Sequence, residues 1–162
     1  MIHALGLACV LLLAALALHL ALEPDNTVFS GKRPQNLGAT DGRLAPCRKT
    51  PNCVSSQAPA ADAEHSIAPI AFAGNAPEAM AAARAALAQV RGARVIREEG
   101  SYLYAEVRSR LLGFVDDVEL LFDAPSGAFQ VRSASRLGRR DYGVNRARVE
   151  TLRRLISAAQ RR

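Results

Sequence analysis

Along the chain the distribution of apolar and polar positions changes character twice. Ala4 to Leu22 is a run of 19 residues with no formal charge. Glu23 to about Leu44 mixes Gly, Pro, Asn, Asp and Thr without an apolar period, the pattern of a flexible tether. From about residue 45 onward, apolar positions recur at spacings that predict regular elements.

Four strands are predicted in succession. They are Ala93–Glu98, Tyr102–Arg110, Phe114–Asp123 and Ala128–Ser135, and the second alternates clearly at Leu103, Ala105 and Val107. The turn Ala124-Pro125-Ser126-Gly127 joins the last two as a hairpin. Folding that hairpin symmetrically sets Phe122 opposite Phe129, Glu119 opposite Arg132 and Asp116 opposite Ser135. One sheet face then carries Leu103, Ala105, Val107, Val118, Leu120, Phe122, Phe129 and Val131. The other carries Tyr104, Glu106, Arg108, Asp117, Glu119 and Arg132, which reads as a charged surface with cross-strand pairs. Ile67–Phe72, interrupted by Pro69, reads as an edge strand.

Two helices flank the strands. The first runs from Asn75 to Arg91, with Asn75 placed to cap, Pro77 in the first turn, Glu78 three residues after the cap and Gly92 beyond the last turn. Met80, Ala83, Leu87 and Val90 form its apolar face. The second runs from about Arg146 to Gln160, with Asn145 as the expected N-cap, Val144 stapled onto Val149, and Val149, Leu152, Leu155, Ile156 and Ala159 on one face. The expectation is an α+β domain: a two-layer sandwich of a mainly antiparallel 4–5-stranded sheet with two helices on one face. It occupies residues 45–162, after an apolar segment at 1–22 and a tether at 23–44.

A helix of 19 residues is about 28 Å long, close to the ~30 Å hydrocarbon core. A cleaved signal peptide would want a basic start and a shorter apolar run, whereas only Met1, Ile2 and His3 precede this one. A lipoprotein cysteine should follow the run, whereas Cys9 lies within it. A retained transmembrane signal-anchor is therefore expected. The flanking charges orient it only weakly, and the single-span topology favours an exported domain. Cys47 and Cys53, in Pro-Cys-Arg-Lys-Thr-Pro-Asn-Cys, can close a small disulfide loop, which suits an oxidising compartment. A zinc pair or a reactive thiol is the alternative, but His65 is the only further ligand type nearby and stands in no ligand spacing. No metal and no cofactor are expected.

The formal charge is +6. Between Gln130 and the end there are ten arginines against two acids, Asp141 and Glu150, so that segment is strongly basic and the remainder slightly acidic. Such a segment attracts anionic lipid, nucleic acid or an acidic partner, and export disfavours nucleic acid. By strand parity Asp116, Ser133 and Ser135 point to the core side at one end of the sheet, where a carboxylate needs a partner. The following chain supplies Arg136, Asn145, Arg146 and a helix start, which together make an anion site. Asp116, Ser133, Ser135, Arg136, Asn145 and Arg146 are the candidate ligand-binding residues. The bland reading is an Asp116–Arg136 ion pair and a capping Asn145. No G-x-S-x-G motif and no histidine lies near them. Leu111-Leu112-Gly113-Phe114 falls at a hairpin tip, where packing onto a neighbouring element is the default expectation.

Three runs in order resemble domain-of-unknown-function family 1499. They are Cys47 with Thr50-Pro51-Asn52-Cys53-Val54-Ser55-Ser56-Gln57, then Gly113-Phe114-Val115-Asp116-Asp117-Val118-Glu119, then Val131-Arg132-Ser133-Ala134-Ser135-Arg136-Leu137-Gly138 with Asp141-Tyr142-Gly143-Val144-Asn145-Arg146. The resemblance covers about residues 44–158. It implies a bacterial envelope protein with a membrane anchor or export signal, and it implies no activity. Arg139 and Arg140 fill a slot between motif residues and are the weaker site candidates. The expected protein is held in the cytoplasmic membrane by one span, with its domain in the periplasm. There it binds an anionic small ligand, a lipid head group or an envelope protein partner without catalysis. The alternatives are a hydrolase or transferase using the same polar pocket, and a membrane-surface module using the arginine-rich C-terminal helix.

Overall fold

The structure is a computed structural model that describes residues 29–161. The apolar segment expected to span a membrane lies outside those residues. Among the described residues no helix is long and apolar enough to cross a membrane.

The elements follow as β1 (Ala39–Thr40), β2 (Arg43–Leu44), β3 (Cys53–Ser55), β4 (Ile70–Ala71), α1 (Ala76–Ala88), β5 (Ala93–Glu99), β6 (Tyr102–Arg108), β7 (Val115–Asp123), β8 (Ala128–Ser135) and α2 (Val144–Ala159). β5 to β8 form the antiparallel meander the alternation predicts. Phe122 pairs with Phe129, Glu119 with Arg132 and Asp116 with Ser135. The sheet is wider than expected. In the order β3-β8-β7-β6-β5 it has six strands, because β3 pairs with the Arg132–Ala134 end of β8 and β4 with its Ala128–Phe129 end. A strand of three residues, Cys-Val-Ser, carries too little alternation to be read from sequence; its partner, not its pattern, makes it a strand.

The main core lies between one sheet face and both helices. Leu103, Ala105, Val107, Val118, Leu120, Phe122, Phe129 and Val131 meet Met80, Ala83 and Leu87 of α1 and Val149, Leu152 and Ile156 of α2. Phe72, Phe122 and Phe129 add edge-on and tilted ring contacts at 5.2–6.1 Å. The α1 start is a capping box: Asn75 accepts from Glu78 N at 3.0 Å and Glu78 accepts from Asn75 N at 3.1 Å. Gly92 turns α1 into β5 at φ +77°, and a Cβ there would lie 2.3 Å from the Arg108 carbonyl oxygen. Only glycine serves both conditions.

The second sheet face departs from expectation. It is not an open charged surface. The part of the expected tether that is described, 29–44, lies against it. Leu37 and Leu44 pack with Tyr102, Tyr104, Leu121 and Ile96 as a second, smaller core. Gly38 N donates to Glu119 at 2.9 Å, and Arg33 Nε donates to Glu106 at 2.8 Å. Contacts with partners more than 50 residues away leave no periodic trace in the segment itself.

Candidate functional site

The expected site residues divide among three places. Asp116, Ser133, Ser135 and Asn145 do come together, at the end of the core face where β7 begins and β8 ends. Their organiser is Arg148, one turn into α2, which stands three residues after Asn145 and so shares its helix face. Arg148 Nη2 lies 2.5 Å from Asp116 Oδ2, while its Nη1 donates to Asn145 Oδ1 at 2.6 Å and Ser133 Oγ at 3.0 Å. Ser133 Oγ donates to Asn145 Oδ1 at 2.6 Å. Asn145 Nδ2 donates to Ser135 Oγ at 2.9 Å and to the Asn52 carbonyl at 3.0 Å. The cluster braces β7, β8, α2 and the cysteine loop together, and Asn145 and Ser133 are fully buried. Both serine hydroxyls are engaged by Asn145, with no histidine among their partners.

Arg136 and Arg146 stand elsewhere. Arg136 crosses to the second sheet face, so Asp116 pairs with Arg148 instead. Arg146 donates to the carbonyls of Ala63 and Glu64 at 3.3 and 3.2 Å. Asn145 is not the N-cap either. The cap position is Gly143, and Asp141 receives Gly143 N at 3.1 Å and Asn145 N at 2.8 Å. Asp141 thus supplies the carboxylate at the helix start, which frees the Asn145 side chain to work inside the core.

The second face holds a buried ionic network that the sequence disguises as surface. Arg136 Nη2 donates to Asp117 at 2.7 Å and Tyr104 Oη at 2.9 Å, and also pairs with Glu106. Arg132 pairs with Glu119 at 2.7 Å, and Tyr102 Oη donates to the same carboxylate at 2.8 Å. Burial, reinforced by Glu119 and Asp117, raises the Tyr102 and Tyr104 phenols well above the ordinary tyrosine range. Burial works against charge on Glu106, but Arg136 and Arg33 outweigh it and lower its pKa. The same balance, won by Asp117 and Glu106, raises Arg136. All these groups lie beneath residues 29–44.

The cysteine loop is closed: Cys47 and Cys53 form a disulfide. His65, which reads as a lone loop histidine, is buried beside it. Its Nδ1 lies 2.9 Å from Asp62, and its Nε2 lies 3.2 Å from the Thr50 carbonyl within the loop. Burial opposes the charged ring, but the hydrogen bonds to Asp62 and Thr50 prevail and raise its pKa. Among the described residues no group of three or more His, Cys, Asp or Glu side chains is arranged to hold a metal ion.

Beside the Asp116–Arg148 pair opens a cleft of about 550 Å³, lined in part by Arg91, Arg108, Arg110, Val144 and Arg148. Its one lining carboxylate, Asp116, is held by Arg148, and Arg108 donates to the Gly113 carbonyl at 3.4 Å, whereas Arg91 and Arg110 are exposed. Arg91 and Arg110 come from turns joining α1 to β5 and β6 to β7. Their convergence depends on the antiparallel order and was not visible from their positions in the chain.

A family model described as a protein of unknown function, DUF1499, matches residues 43–156. No curated protein and no solved structure matches the chain.

Proposed function

This chain belongs to the DUF1499 family of proteins of unknown function, and from that premise we propose a membrane-anchored domain of the bacterial envelope that binds an anionic group without catalysis. The anchor in this reading is the apolar segment Ala4–Leu22, a single-pass signal-anchor in the cytoplasmic membrane, with the domain on the periplasmic side. The Cys47–Cys53 disulfide supports export, because such bonds persist in oxidising compartments. The observation that carries the binding reading is the cleft lined by exposed Arg91 and Arg110, whose single carboxylate, Asp116, is already paired with Arg148. Guanidinium groups make paired, charge-assisted hydrogen bonds to phosphate or carboxylate oxygens. Binding is preferred to hydrolysis or group transfer because the Ser133 and Ser135 hydroxyls are tied to Asn145, and the carboxylate beside them, Asp116, is held by Arg148.

The reading is tested on the full chain in uncharged detergent micelles, by titrating inorganic phosphate or glycerol phosphate and following backbone amide signals by NMR. Shifts are expected at residues 91–92, 108–110 and 148. Replacing Arg91 and Arg110, both exposed, by Ser should weaken the response about tenfold or more. Shifts no larger than those from chloride at equal ionic strength, or an unchanged response in the double variant, would reject it.

A further inference from the structure

The two ends of the sheet differ in kind. At one end lie the β5–β6 and β7–β8 turns, with Glu98, Glu99 and Asp123 close by. At the other end lie the β6–β7 turn and the β8–α2 connection. Among the described residues, six of the seven exposed large apolar side chains gather at this second end: Phe29, Leu111, Leu112, Leu137, Tyr142 and Val144; the seventh, Val95, lies within β5. Leu111 is 91% exposed and Tyr142 95%, so of the tip expected to pack on a neighbour Phe114 does, against Phe29, while Leu111 and Leu112 do not. Tyr142 also has φ +54°, a left-handed backbone that L residues with side chains seldom adopt. Water alone favours neither feature. Apolar side chains interleaved with exposed Arg110, Arg139 and Arg140 on the same two loops form a surface with an apolar tip and a cationic rim.

The path of the chain identifies what covers it. Phe29, the first described residue, stacks on Phe114 at 5.0 Å, next to the Leu111–Leu112 tip. Leu22 ends the uncharged run only seven residues earlier, a reach of at most about 25 Å. Resting on the anchor reading above, we infer that this end of the domain lies on the anionic surface of the bilayer its own anchor enters. Leu111, Leu112 and Tyr142 then enter the headgroup–acyl boundary, and Arg110, Arg139 and Arg140 meet lipid phosphates. The surface is the end of the sheet and not the arginine-rich helix. Along α2, Arg153 is engaged by the carbonyls of Pro69 and Ala68 and by Glu150.

The chain contains no tryptophan, so single Trp substitutions report without background. The full chain is placed in nanodiscs of phosphatidylethanolamine and phosphatidylglycerol, with brominated acyl chains as quencher. Leu111→Trp and Tyr142→Trp should emit at shorter wavelength and be quenched, and Ser126→Trp at the far end should not. Quenching should fall several-fold in phosphatidylcholine alone, and also when Arg110, Arg139 and Arg140 are all replaced by Glu. If Leu111→Trp and Tyr142→Trp in an anchored chain are quenched no more than Ser126→Trp, the inference is overturned and the anchor stands. A blue shift without lipid quenching means the tip is buried against protein, such as a second copy, and overturns it too. A chain that alkaline carbonate strips from membranes sinks the anchor and this inference together. Phosphate-induced shifts at Arg91 and Arg110 in micelles with no quenching in nanodiscs leave anion binding intact and reject only the bilayer surface.

Discussion

Glu119 shows how misleading a polar residue on an alternating strand can be. It is fully buried, accepts from Arg132, Tyr102 and the Gly38 amide, and sits in the middle of β7. A carboxylate so placed is stable only because each partner supplies a proton donor. Glu119→Ala leaves Arg132 charged and buried, and should cost about 3–5 kcal/mol in urea unfolding. Glu119→Gln, which keeps oxygen acceptors, should cost less. Equal and small losses in both would mean that the face is open to water after all. The same logic applies to Asp116, which Arg148 satisfies from α2. Read from sequence, Asp116 pairs with Arg136 and Arg148 is missed; the signal that marks Arg148 is its place one helical turn after Asn145.

At the scale of elements, what could be read from sequence was what is periodic. The β6 alternation, the β7–β8 register and the Asn75–Glu78 box all follow from local patterns, and each appears as expected. What could not be read is held by distant partners. β3 exists because β8 does, and residues 29–44 have their shape because Tyr102, Tyr104 and Glu119 lie beneath them. Arg136 departs from expectation because the alternation of β8 continues one residue past Ser135, its amide donating to the Val115 carbonyl, which sends its side chain to the face of Arg132, where Asp117 and Glu106 take it. The cysteine loop is the element where a titration matters. His65 has a raised pKa, so its contribution is complete below about pH 6.5 and is lost as pH rises through the folded value. The hydrogen bond from His65 lowers the pKa of Asp62, whose contribution is present above about pH 4 and lost as pH falls through its folded value. The pair therefore holds the loop best between about pH 4 and 6.5. Urea midpoints should fall from pH 6.5 upward in the native chain and stay flatter in His65→Gln; parallel profiles would remove His65 from the account.

The whole molecule has a direction. Its polar brace, its cysteine loop, its arginine-lined cleft and its exposed apolar tips all stand at the end where the described chain begins. The opposite end has short turns and acidic side chains. A sheet with both faces covered leaves its ends as the natural places for recognition, and among the described residues only one end carries unspent apolar surface. The anchor and the docking surface would then act together: the short connection keeps the domain close, and the tip and arginines set its orientation. The most direct test uses a paramagnetic gadolinium chelate attached to lipid headgroups in nanodiscs that carry the full chain. The account predicts strong broadening of the amides of residues 109–113 and 138–143, with those of 98–101 and 124–127 left sharp. Broadening confined to 98–101 and 124–127, or spread evenly over both ends, would contradict it.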